Sequence, residues 1–77
     1  MNNWRERIAA HPDVLLGKPV IKGTRISVEL IVDLLARGYT SDQVLQQYPH
    51  ILAVDLQACL AYALELLRQE QMLDRPA

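Results

Sequence analysis

A chain of 77 residues, 51% apolar and with a formal net charge of −1, makes one small domain and lacks the basic excess of an indiscriminate nucleic-acid binder. Its single cysteine and two histidines exclude a disulfide framework and leave no ligand spacing for a structural zinc. A domain this size buries only about 60% of the surface its unfolded form exposes, so the high apolar fraction points to self-association.

The first ten residues hold Arg5, Glu6 and Arg7 and no apolar run, which does not fit a secretory leader. No segment has the length of a membrane span, and the lone thiol Cys59 fits a reducing compartment, so the cytoplasm is the expected location. Residues 3–10 read in two ways. They form either a short helix capped by Asn2 or Asn3, with Trp4 and Ile8 one turn apart, or a strand around Arg7-Ile8-Ala9. Pro12 ends either element. Trp4, the lone tryptophan, is expected as a lid on the core rather than as a ligand-stacking group.

The most informative stretch is Gly17-Lys18-Pro19-Val20-Ile21-Lys22-Gly23-Thr24-Arg25-Ile26. It reads as a turn, a short strand at Val20-Ile21, a reversal that needs Gly23 at positive φ, and a return along Arg25-Ile26. Period-2 alternation would send Val20 and Ile21 to opposite faces. The segment holds Lys18, Lys22 and Arg25 and no acid. Such a hairpin needs a helix or a second chain to persist in water.

Three helices follow. Ser27 caps one over about 28–37, with Val28, Ile31, Val32 and Leu35 in one apolar stripe and Leu30 and Leu34 beside it. Gly38 stops it, and Arg37 suits the negative end of the helix dipole. Thr40-Ser41-Asp42-Gln43 is a capping box opening a helix over about 41–48, with Val44, Leu45 and Tyr48 inward and Pro49 as its end. The last helix runs over about 54–72 with Asp55 in its first turn. Leu56, Leu60, Ala63, Leu64 and Leu67 share one face, and Cys59, Tyr62, Leu66 and Leu73 lie beside it. The combined apolar arc spans roughly 200°, twice the ~100° that covers one core. A second subunit is the expected cover, which makes Cys59, Tyr62, Leu66 and Leu73 candidates for a dimer or partner interface.

Charge divides along the chain. Residues 1–37 hold six cations against four acids, and residues 38–77 hold two against five, so two surfaces with different partners are expected. No Ser/His/Asp arrangement, metal spacing or complete phosphate loop is present, which argues against an enzyme and against any cofactor. The order of the helices is that of a helix-turn-helix unit, yet the third helix opens with Val54, Asp55, Leu56, Gln57 and Ala58, which offer no cation to a base edge or phosphate. If nucleic acid is bound, Lys18, Lys22, Thr24 and Arg25 are the candidates, with Arg5 and Arg7 in support. Equally, charge on a hairpin edge protects it from strand pairing.

The basic hairpin, the helix ending at Gly38, the capped helix ending at Tyr48-Pro49 and the long helix with Ala61-Tyr62-Ala63 together resemble the domain of unknown function family 433, over about residues 4–67. The resemblance implies a mainly α fold: a short N-terminal β-hairpin followed by a three-helix, winged-helix-like or homeodomain-like bundle. On this reading residues 1–26 are the N-terminal segment and hairpin, 27–72 the helical body and 73–77 a tail. It also implies an antitoxin-like regulator, homodimeric, that covers a small toxin resembling PIN-type ribonucleases and binds its own operator DNA. Leu16 stands where that family often has a second glycine, and Ala53 where it often has a Ser or Thr cap. Two other readings remain beside it: a module that neutralises a nuclease through its acidic C-terminal half without touching DNA, and an orphan structural homodimer.

Overall fold

The computed structural model describes residues 3–70. It is mainly α, with a short N-terminal sheet and three helices in helix-turn-helix order. Both readings of the N-terminus hold, in succession. Trp4–Glu6 is a single 3-10 turn whose start is capped by Asn3, the Oδ1 of which accepts from the Arg5 N–H at 3.1 Å. The chain then extends into β1, Ile8–Ala9.

β2, Val20–Ile21, pairs antiparallel with β1, Ile8 opposite Ile21 and Ala9 opposite Val20. The expected return is present on the other edge of β2. The Ile21 N–H donates to the Ile26 carbonyl, the Val28 N–H donates to the Pro19 carbonyl, and Val20 bridges Ser27. Gly23 takes the positive φ that the reversal needs, 78°. Val20 and Ile21 are both buried, not split between core and solvent, because β2 is covered on both sides of so small a sheet.

α1, Val28–Ala36, begins as expected at Ser27, whose Oγ accepts from the Leu30 N–H at 3.0 Å. It ends in a Schellman motif: the Gly38 N–H reaches the Leu35 carbonyl and the Tyr39 N–H reaches the Leu34 carbonyl, with Gly38 at φ 100°. α2, Ser41–Gln47, carries both halves of the Thr40/Gln43 capping box. α3 runs over Ala53–Glu70. It lacks a capping side chain at its first residues, and Asp55 does that work from inside the helix by accepting the Leu52 N–H at 2.8 Å.

The core gathers Ile8, Ile21, Val28, Ile31, Val44, Ile51, Leu56, Ala58 and Cys59. Only the first two turns of α3 enter it. Leu56 is 3% exposed, whereas Leu60, Leu64 and Leu67 are 48%, 46% and 67% exposed. Of the stripe shared by Leu56, Leu60, Leu64 and Leu67, the core therefore covers Leu56 alone. The buried side of α3 is the arc of Asp55, Leu56, Ala58 and Cys59, set there because α1 packs across it and the Trp4 turn closes over it. Trp4 is the expected lid: its ring meets Tyr62 edge-on at 4.8 Å. Among the described residues, no helix is long and apolar enough to cross a membrane.

Candidate functional site: an apolar groove beside a basic turn

Two surfaces of the molecule are not explained by folding alone. The first is a groove of ≈ 920 Å³ between α1 and the distal half of α3. Its walls are Leu30, Val32 and Ala36 from α1 and Tyr62, Ala63 and Leu66 from α3. The periodicity of both helices creates it. Val28 and Ile31 turn into the core, which leaves Val32 and Ala36 along the flank of α1, while α3 runs past the body and carries Ala63 and Leu66 beyond the last buried turn. Lys18, Glu29 and Asp33 stand at the rim. Each acid there holds a cation, Lys18 Nζ to Glu29 at 3.2 Å and Arg37 Nε to Asp33 at 3.0 Å. Both pairs lie in solvent, where such contacts are weak and readily exchanged.

The second surface is the turn after β2. Lys22 and Arg25 are exposed there and make no ion pair among the described residues. They border a cleft that also takes in His11 and Val14.

The structure redistributes the other candidates for nucleic-acid contact. Arg7 is turned inward: its Nε donates to Asp55 at 2.7 Å, and the Asp55 side chain is only 6% exposed. An ion pair this deep survives because the second carboxylate oxygen also receives the Leu52 N–H, so both oxygens are satisfied. Arg7 is therefore a structural residue. Thr24 is structural as well. Its hydroxyl donates to the Ile21 carbonyl at 2.7 Å and accepts the Ile26 N–H at 3.0 Å, which fastens the turn. Arg5 lies over the Trp4 ring at 4.5 Å, a cation–π contact. Lys18 belongs to the rim of the groove rather than to the basic turn.

The interface candidates also divide. Cys59 is fully buried in the core and cannot meet a partner. Burial, and secondarily the Asp55 charge, pushes its thiol up to about 12. The small apolar thiol lies in the same buried cluster as Ile31 and Val44, and its sequence position beside the leucine face gave no hint of that. Tyr62 and Leu66 line the groove, with Leu66 44% exposed. Leu73 lies outside the described residues.

The acids at the groove come from α1 in the first half of the chain, and Asp55, a buried acid of the second half, is spent on Arg7. The first turns of α3 bury Asp55, Leu56 and Ala58 and expose Ala53, Val54 and Gln57, so this helix offers no cation to DNA at its N-terminal end.

One feature escaped the sequence reading. Leu15, Leu16 and Gly17 all have positive φ, 48°, 58° and 85°, and Leu16 is 96% exposed. The turn closes through Gly17 N–H to the Val14 carbonyl and Lys18 N–H to the Leu15 carbonyl. Leu16 takes the conformation a glycine would, at a cost of roughly 1–2 kcal/mol. The resemblance, which expects a second glycine at this position, was the available signal.

Comparison with known proteins agrees with this geometry. The family model described as "Protein of unknown function (DUF433)" matches residues 8–63, from β1 to the groove wall of α3. The uncharacterized protein y4eO of Sinorhizobium fredii is 32% identical over 59 residues, which is 77% of this chain but only 27% of that protein. The chain thus spans about a quarter of that relative's length. The crystal structure of a DUF433 member protein from Anabaena variabilis superposes with a TM-score of 0.76 at 32% identity, over 82% of this chain and 62% of that one. The match runs through the sheet, α1, α2 and α3 as far as Ala63, short of the groove residue Leu66, and the chain belongs to the DUF433 family.

Proposed function

We propose that this protein is a non-enzymatic, homodimeric, antitoxin-like regulator that captures a partner protein in the groove between α1 and distal α3. The single observation that carries the reading is the groove itself: an apolar trough walled by Val32, Ala36, Tyr62, Ala63 and Leu66, with acids at its rim. An amphipathic helix laid into such a trough buries its apolar face while its cations exchange onto Glu29 and Asp33. Full burial of a leucine is worth roughly 1.5–3 kcal/mol, so covering the exposed part of Leu66 contributes on the order of 1 kcal/mol. The family pattern supplies the partner class, a small toxin resembling PIN-type ribonucleases.

Co-expression with the product of the adjacent gene, which this reading expects to be a nuclease, tests this. Wild type should co-purify with the nuclease and relieve its toxicity. Leu66→Glu should lose both while retaining the fold. A wild-type chain that leaves the nuclease unbound, or a Leu66→Glu chain that still binds it, contradicts the proposal.

A second reading, contact with operator DNA, is favoured by Lys22 and Arg25 alone. Two phosphate contacts per chain give a salt slope of about −1.8 in log–log form, and twice that for a dimer. A gel shift on the upstream DNA at low salt that is equal for wild type and Lys22→Glu/Arg25→Glu would remove this arm without affecting the groove.

A further inference from the structure

The side of α3 facing away from the groove is also apolar. At 100° per residue Leu64 lies about 160° around the helix from Leu66. Gln57, Leu60, Leu64 and Leu67 follow a 3-4-3 spacing, the repeat of a two-helix seam. The three leucines leave between about half and two thirds of their surface in water. Among the described residues, none of the three belongs to the core or to the apolar side chains packed on it. The strip from Ala53 to Leu67 on this side carries no charge, and the nearest charged residue is Arg68 at its edge.

We infer that Leu60, Leu64 and Leu67 form an antiparallel seam with the same residues of a second copy, centred on Leu64. This deepens the homodimeric part of the reading above and rests on it, and it names the surface. Three observations select a second copy as the occupant. The strip has no acid to meet a basic nuclease cleft and no cation to meet DNA, so it matches only another uncharged leucine strip. An isologous contact needs a patch complementary to itself, and Leu60 opposite Leu67 with Leu64 opposite Leu64 meets that condition. Arg68 sets the direction. A parallel pair would place the two guanidinium groups side by side, whereas the antiparallel pair separates them by about 12 Å along the axis. The groove residues of α3 centre roughly 120° around the helix from the seam, so a dimer of this kind leaves the two grooves free.

A seam of three leucines per chain is small for a specific interface. The dimer should therefore dissociate in the micromolar range.

The test combines mass with position. Sedimentation between about 1 and 200 μM should show wild type passing from single-chain to two-chain mass. Leu64→Glu should remain single-chain throughout, with an unchanged far-UV spectrum because Leu64 is half exposed. Under mild oxidation Leu64→Cys should give a disulfide-linked dimer, and Arg68→Cys should not. Cys59, buried and with its thiol held protonated, stays silent in both. A two-chain mass that survives Leu64→Glu overturns the seam and leaves the homodimer standing. Crosslinking through Arg68→Cys as well as through Leu64→Cys overturns the antiparallel arrangement. A single-chain mass for wild type at every concentration overturns both the seam and the homodimer, whatever the outcome of the nuclease experiment.

Discussion

Leu56 and Leu67 sit three turns apart on one helix and have opposite surroundings. Leu56 is 3% exposed and closes the core against α1, whereas Leu67 is 67% exposed and touches little. Both belong to one apolar stripe, about 20° apart around the helix axis. What separates them is reach. The body made by the sheet, α1 and α2 is only long enough to cover the first turns of α3, and the rest of the helix extends beyond it. Apolar residues inside that reach contribute to folding, and those outside it stay in water in the single chain. The comparison also explains Asp55. At the start of the helix a carboxylate can be buried because Arg7 and the Leu52 N–H meet it there.

Substitutions should follow this boundary. The largest effect is expected for Leu56→Ala, which removes a buried side chain and opens a cavity. It should lower unfolding free energy by about 3 kcal/mol in urea titration. Equal losses for Leu56→Ala and Leu67→Ala, measured at submicromolar concentration, would erase the distinction. Next comes Arg7→Ala, which strands the Asp55 carboxylate inside the protein. A cost of about 2 kcal/mol is expected, below that of a fully enclosed pair because the Arg7 side chain is 37% exposed. A cost under about 0.5 kcal/mol would mean that Arg7 is free for a ligand after all.

Cys59 sharpens the contrast through pH. Its thiol titrates near the ordinary value of 9.0 when unfolded and at about 12 when folded. The folded chain then holds the proton more tightly, so the stabilisation is complete below pH 9 and is lost as pH rises from 9 toward 12. The loss should approach about 1.4 kcal/mol per pH unit within that window. Cys59→Ala should flatten this part of the curve relative to wild type, and parallel curves for the two would place the thiol in water. A smaller effect of opposite sign is expected at the strained turn. Leu16→Gly should raise stability by about 0.5–1 kcal/mol, since it relieves a left-handed leucine and removes no internal contact. The smallest is Leu67→Ser, within about 0.5 kcal/mol for the single chain.

Much of the fold was legible because its signals are local. Ser27, the Thr40/Gln43 box and Gly38 each act within four residues, and each marks the helix end that the structure shows. The positive φ at Gly23 is of the same kind. What could not be read depends on distance. The Arg7–Asp55 pair joins residues 48 apart, and no spacing rule connects them. The partner of β2 was half read: the return at Ile26 is local, but β1 arrives from across a long loop. For α3 the periodicity gave an arc too wide for one core, which was sound, but periodicity is blind to which part of a wide arc faces in. Cys59 was set among interface residues for that reason. The groove was legible only in pieces, Tyr62 and Leu66 from one helix, because its second wall depends on how α1 crosses α3.

The central claim is that the part of α3 outside the reach of the body, together with α1, is a surface for another protein. Hydrogen exchange on the chain alone and mixed with the product of the adjacent gene examines it most directly. New protection should fall on Val28–Ala36 and on the Tyr62–Leu66 stretch of α3, with the Lys22–Arg25 turn unchanged. Protection confined to that basic turn, or no change along α1 and distal α3, would contradict it.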